Sequence, residues 1–371
     1  MDQELLETLE TPCVVIDMEK VRRNIAETQR QADECHVALR PHVKTHKMPL
    51  FARMQLEAGA RGITCCKVSE AEVMADGGAD DIFIAYPQIG KRRIERVLGL
   101  NRRIRRLIVA IDSVEGADML SAAAAADGQT VEVRMEVDTG AGRTGVVRDQ
   151  AVRLAKHIAA LPGLKLTGIY TFKSLVYRDQ VTTDNALAGR EEGELLEQVA
   201  SAIREAGVPL AEISGGSSPT GHEVAKTGKV TEIRPGTYIF KDNFLIHENV
   251  ATDEEVAVRM YATVVSTPRQ DYAVIDGGTK TFPMDVIFGQ PPYHYDTYVR
   301  VMGRDDLKLV RMNEEHGILV STKGQTGLHV GDILELMPMH VCPVINLQNS
   351  VYLLEDGRLR KEPVAARGTL F

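Results

Sequence analysis

The chain has 371 residues, 44% of them hydrophobic, enough for a sizeable core in two domains or in one large barrel with an appendage. Lys plus Arg number 44 against 52 Asp plus Glu, a net charge of −8 with no basic run, which argues against nucleic-acid binding. The 26% charged fraction argues against disorder, and 5% aromatic residues with no Trp supply no stacking platform. Five cysteines are a sparse, odd set and fit a reduced, cytoplasmic chain. The start, MDQELLETLETP, is acidic and lacks the apolar run of a leader peptide. No stretch approaches ~18 consecutive apolar residues, so no membrane span is expected.

In chain order, a short apolar run at residues 13–16 precedes a helical pattern over 18–35. A strand is expected over 37–43, ending in the polar string His42-Val43-Lys44-Thr45-His46, and a helix over 49–58. Strands are then expected at 62–66, 81–85, 106–111, 131–137, 166–170, 212–214 and 231–233. Helices are expected near 69–76, 91–98, 113–125, 149–160 and 185–206. Strand–helix alternation with eight strands, no G-x-G-x-x-G after the first strand, and polar strings at strand ends predict a (β/α)8 TIM barrel over 1–245. A doubly wound sheet is the competitor. Beyond residue 245 short β-branched runs at 257–266, 272–275, 298–302, 308–312, 317–320, 333–337 and 351–354 predict a second, C-terminal all-β domain over 246–371.

Lys44, at the end of the first barrel strand, is placed to be a nucleophile towards an aldehyde; a solvated basic loop is the other reading. The Gly-rich string Ser214-Gly215-Gly216-Ser217-Ser218 follows strand seven, and Arg234-Pro235-Gly236-Thr237-Tyr238 follows strand eight, where barrels hold phosphate. A candidate imine lysine with a candidate phosphate site points to pyridoxal phosphate. Arg143, on the turn Asp138–Gly145, offers a planar fork to an anion, or else a brace to Asp138. Tyr170 ends strand six, near a bound ring or in the barrel core. In His340-Val341-Cys342-Pro343 the spacing expected of a strand turns imidazole and thiol to one side, either half a Zn²⁺ site or a core Cys beside a satisfied His. Cys65-Cys66 lacks the CxxC spacing and reads as strand core.

These strings together resemble the D-serine dehydratase and D-threonine aldolase family, with its alanine-racemase-like fold, a pyridoxal-phosphate barrel followed by a β domain. The resemblance spans nearly the whole chain. It implies Lys44 as the Schiff-base lysine and His42, Arg143, Tyr170, Gly216, Ser217, Gly236, Thr237 and Tyr238 around the cofactor. It implies His340 and Cys342 as ligands of a divalent metal, zinc first and manganese or magnesium as alternatives. A homodimer and a small D-amino acid substrate are implied too, with no nucleic-acid or membrane partner. Phe172 and Ser174 replace a His and a Gly of the dehydratase pattern, and Val176, Tyr177 and Arg178 stand where the aldolase branch carries a His. Because the His340–Cys342 pair and Tyr170 fit the dehydratase branch and the aldolase His is absent, elimination from a D-3-hydroxy amino acid to a 2-oxo acid and ammonia is expected, with cleavage to glycine and an aldehyde as the alternative. Lys173 and Arg178 add positive charge that suits a second acidic group, as in 3-hydroxyaspartate. A racemase lacks an identifiable second base opposite Lys44. A non-catalytic cofactor-binding protein would lack the β domain.

Overall fold

A computed structural model describes residues 3–371. Strand interiors such as Asp81–Ile84 and Arg106–Ile111 are almost continuously apolar and buried, the signature of parallel strands covered on both faces. They lie in a sheet of eight successive parallel neighbours, from Ala38–Leu39 through Glu232–Ile233, Glu212–Gly215, Leu164–Tyr170, Val131–Asp138, Arg106–Ile111 and Asp81–Ile84 to Ile63–Cys65. The last strand returns to the first. Arg61 N–H donates to Leu39 O at 2.9 Å, Thr64 N–H to Pro41 O at 2.8 Å, and His42 bridges Thr64 in parallel. The eight-stranded barrel is thus closed, as expected. The crossover helices fall where periodicity puts them. Ser113 caps Val114–Ala126 by accepting from Gly116 N–H at 3.2 Å, and Asp184 caps Asn185–Glu205 through Leu187 N–H at 2.9 Å.

The barrel interior is not the apolar filling that its strands suggest. Arg40 reaches Asp81 at 2.6 Å and Glu232 at 2.8 Å, while Arg134 reaches Glu232 at 2.5 Å and Glu212 at 3.1 Å. Beside this network sit Phe83, Ile108, Ala110 and Tyr170.

The other unit is a sheet of antiparallel pairs. Tyr272–Ile275, Gly317–Ser321, Leu307–Met312, Val299–Val301, Ile333–Pro338 and Val258–Arg269 follow one another, and the last pairs back with the first, closing a six-stranded barrel. Cys13–Asp17 extends it, antiparallel to Val258–Arg269 and parallel to Ser350–Glu355, which in turn pairs with Arg358–Pro363. The chain divides into a unit of residues up to Asn24, Thr45–Lys47 and Thr237–Arg367, and a unit of Ile25–Lys44, Met48–Gly236 and Gly368–Phe371. The division expected at residue 245 thus meets a β unit that starts at Thr237 and also takes in the N-terminal strand.

One expectation is overturned. His340 and Cys342 do not lie on a strand. His340 precedes the helix Val341–Leu347, with φ −129° and ψ 114°, and Cys342 lies in its first turn. Pro343 is compatible with that turn because the first amides of a helix have no partner within it. Asp242 supplies the start: its buried carboxylate accepts from Val341 N–H at 3.0 Å and from Leu245 N–H at 3.1 Å, so one side chain caps two helices.

Candidate active site

The first barrel strand gives way to a tight turn, Val43–Thr45, that carries the half-buried Lys44. Its Nζ lies 5.8 Å from the centroid of the Phe172 ring, and the Arg143 guanidinium carbon lies 4.3 Å from the same centroid. One aromatic ring thus gathers the two cations that the strings single out. Arg143 does not brace Asp138. The Asp138 carboxylate accepts instead from Gly140 N–H at 2.9 Å and Gly142 N–H at 3.2 Å, shaping the turn, while the exposed Arg143 lies over Phe172.

Tyr170 is buried in the barrel, edge-on to Phe83 at 4.9 Å, and donates to Glu136 Oε2 at 2.8 Å. Glu136, which no motif marks, also accepts from Thr144 Oγ1 at 2.9 Å, tying the Gly-rich turn to strand six. Burial pushes the Glu136 carboxyl up, against the hydrogen bonds of Tyr170 and Thr144. Lys173 is not a free charge: it is buried and ion-paired with Glu191.

The candidate phosphate loop is shaped by its backbone. Gly216 has φ +78°, and a Cβ there would stand 2.8 Å from Gly221 Cα, so only glycine fits. Glu192, buried and also missed from sequence, accepts from Gly216 N–H at 2.7 Å and from Thr220 Oγ1 at 3.2 Å. Ser217 Oγ lies 3.0 Å from Thr220 Oγ1, and Gly236 N–H donates to Ser218 Oγ at 3.1 Å. The Gly216 and Gly236 amides are therefore staples of the loop, the Thr220 hydroxyl spends its proton on Glu192, and the hydroxyls of Ser217 and Ser218 are the candidate donors to an anion.

His42, two residues before Lys44, faces Cys66. Its Nε2 is 3.5 Å from Cys66 Sγ, and with Glu70 the three side chains offer ligand atoms within 4.8 Å of one another. Cys65 is strand core as expected, but Cys66 has left the strand. His42 Nδ1 accepts Lys44 N–H at 3.3 Å, so the neutral ring carries its proton on Nε2, and Glu70 accepts Cys66 N–H at 2.8 Å. That tautomer suits a polar network better than a cation.

In the β unit the Cys342 sulfur is 3.3 Å from Thr45 Oγ1 and 3.6 Å from Thr237 Oγ1, two hydroxyls able to steady a thiolate. The His340 ring stacks on Phe244 at 5.3 Å, its Nδ1 bonds the Asp285 carboxylate, and the Cys342 side chain bonds the same imidazole. Burial would lower the His340 pKa, but the bonds to Asp285 and Cys342 outweigh it and push it up to about 11. Burial pushes the Asp242 carboxyl up to about 6, against the charge of His340. A soft thiolate beside a carboxylate-backed imidazole is a donor set that fits Zn²⁺. Tyr238 is buried in the short turn Thr237–Ile239 of this unit.

Residues 16–243 match the family described as alanine racemase, N-terminal domain, and residues 257–354 match a serine dehydratase domain. The chain belongs to the alanine racemase N-terminal domain family. Within it, the chain is 34% identical over 354 residues to a D-threo-3-hydroxyaspartate dehydratase of Delftia sp. (strain HT23), covering 92% of this chain and 93% of that one. It is 31% identical over 364 residues to a D-threonine aldolase of Arthrobacter sp., covering 95% and 91%. The solved structure of the Delftia dehydratase superposes with a TM-score of 0.87 at 31% identity, over 97% of this chain and 98% of that one. Solved mutants of that dehydratase include a histidine-to-alanine change and, two residues later, a cysteine-to-alanine change described as the metal-free form. The spacing is that of His340 and Cys342.

Proposed function

We propose that this chain is a pyridoxal-phosphate- and divalent-metal-dependent lyase that eliminates the β-hydroxyl of a D-3-hydroxy amino acid, giving a 2-oxo acid and ammonia. The observation that carries the reading is the braced His340–Cys342 pair, supported by the same spacing in the dehydratase whose cysteine mutant was solved in a metal-free form. Bound pyridoxal phosphate would supply an electron sink for the pair released at Cα. A bound divalent metal, zinc by donor chemistry, would supply Lewis acidity at an oxygen.

The chain's own residues do the rest. The Lys44 amine anchors the cofactor aldehyde and, when free, serves as the base for the Cα proton. Arg143 offers its fork to a carboxylate or to the ring oxygen. Ser217, with Gly216, Gly236, Thr237 and Tyr238, belongs to the phosphate-binding region, and His42 and Tyr170 to the ring's surroundings. In the balance of the reaction the Cα–H and Cβ–O bonds break and the hydroxyl leaves as water. Water then hydrolyses the enamine to the 2-oxo acid and ammonia.

Cleavage to glycine and an aldehyde is the second reading, favoured by the aldolase relative. Against it stands the segment 171–178, which holds no histidine and whose Lys173 is committed to Glu191. None of the five cysteines is in a disulfide, in keeping with a cytoplasmic setting, and no helix among the described residues is long and apolar enough to cross a membrane. A homodimer belongs to the same reading. A product assay with D-serine, D-threonine and D-threo-3-hydroxyaspartate tests it: 2-oxo acid with ammonia supports elimination, and glycine with an aldehyde rejects it.

A further inference from the structure

We infer that Asp285 is a positioning residue: its carboxylate fixes the His340 imidazole so that Nε2 is the nitrogen offered beside Cys342, and it thereby sets how tightly the pair holds a divalent cation. The inference rests on the metal-holding reading of His340 and Cys342. An imidazole on a flexible side chain has two freedoms that weaken it as a ligand, the tilt of its plane and the choice of nitrogen. Here both are restrained. Phe244 stacks on the ring at an interplanar angle of 27°, which sets the plane. Asp285, 55 residues earlier in the chain, bonds Nδ1, which sets the flip of the ring and occupies that nitrogen.

The other ligand has its own supports, the hydroxyls of Thr45 and Thr237 on Cys342 Sγ. Neither Asp285 nor Phe244 lies near His340 in sequence. Asp285 belongs to a largely irregular stretch of the β unit, between the strands Tyr272–Ile275 and Val299–Val301, where its alignment with the imidazole is a product of the fold. A carboxylate behind a metal-bound histidine raises the basicity of the ligand and orients it, and its loss typically weakens metal binding ~10–100-fold.

The test is a zinc competition titration of the holoenzyme against a chromophoric chelator, for the wild type, Asp285→Ala and Asp285→Asn. Visible imine absorbance and a melting curve serve as controls for cofactor loading and fold. Zinc affinity should fall ~10–100-fold in Asp285→Ala. Asp285→Asn, which keeps an acceptor for Nδ1–H, should fall less. In the Co²⁺-substituted enzyme, the thiolate charge-transfer band and the ligand-field spectrum should keep their shape in both variants, because no ligand has been removed. Asp285→Ala binding zinc within about two-fold of the wild type would overturn the inference. So would a cobalt spectrum reporting a lost oxygen ligand, which would make Asp285 a ligand itself. A wild-type protein that binds no zinc would instead sink the metal reading, and this inference with it.

Discussion

Replacing Glu232 by alanine removes the carboxylate on which the barrel's interior charges converge. That carboxylate accepts from Arg40 Nε at 2.8 Å, from Arg134 at 2.5 and 3.2 Å, and from Ser214 Oγ at 2.7 Å. Both arginine side chains have 0% exposure, so water cannot take the carboxylate's place without a rearrangement of the barrel. Removing one partner of a buried ion pair costs about 3–5 kcal/mol. Arg40 keeps Asp81 and Arg134 keeps Glu212, which puts the expected loss near the lower end, about 3 kcal/mol. At ~2–4 °C per kcal/mol for a domain of this size, the melting temperature should drop by roughly 6–12 °C. Glu27→Ala, which breaks an exposed pair with Arg30, should stay within about 1 kcal/mol of wild type.

The pH dependence has a definite sign. Burial alone would raise the Glu232 carboxyl, but the charges of Arg134 and Arg40 outweigh it and hold the group well below the ordinary carboxylate range. A depressed folded value means a stabilisation present above the unfolded pKa of ~4.3 and lost as the pH falls through the folded value. The gap between wild type and Glu232→Ala should therefore be full at neutral pH and close in acid. Near-UV circular dichroism melts across pH measure it. A neutral-pH drop equivalent to less than about 1 kcal/mol would refute the claim that these charges are buried and mutually dependent.

Three further outcomes are expected. Lys44→Ala should lose the visible imine absorbance of the purified protein, and a persisting band would reject Lys44 as the anchor. Glu192→Ala frees Gly216 N–H and Thr220, so cofactor affinity should weaken roughly ten-fold, about 1.4 kcal/mol, by titration of the imine band; unchanged affinity would mean that the loop holds itself. Exhaustive chelation should abolish turnover and Zn²⁺ restore it, with His340→Ala and Cys342→Ala losing the response; full activity in chelator would make the pair structural.

The barrel was legible because strands that are buried on both faces, and so nearly all apolar, alternate with helical patterns and end in polar strings. Lys44 and the Gly-rich strings stand out because strand ends and turns mark themselves in local sequence, whereas the partners of the Gly216 and Gly236 amides, Glu192 and Ser218, come from the fold. Cys13–Asp17 was not placed in the β unit, since its partners lie more than two hundred residues away and pairing leaves no local mark. His340–Cys342 was read on the wrong element for a similar reason: the cap that starts the helix comes from Asp242, 99 residues upstream of Val341. Cys66 faces His42 because adjacent barrel strands bring one βα repeat's end beside the next, a contact no spacing motif encodes. Glu136, Glu192, Glu232 and Asp285 are acceptors chosen by the fold, and only their neighbours in space mark them. The positive charge read at Lys173 is cancelled by Glu191, so that residue gives no support to a doubly acidic substrate.

The most direct test of the central claim is the fate of the Cα–Cβ bond. The zinc-loaded enzyme is given D-threo-3-hydroxyaspartate and D-serine, with their L-isomers and Lys44→Ala as controls, and the products are separated and quantified. The account predicts equimolar ammonia and 2-oxo acid from a D-isomer, nothing from the L-isomers and nothing from Lys44→Ala. Glycine and an aldehyde as the products, or turnover of L-isomers alone, would contradict it.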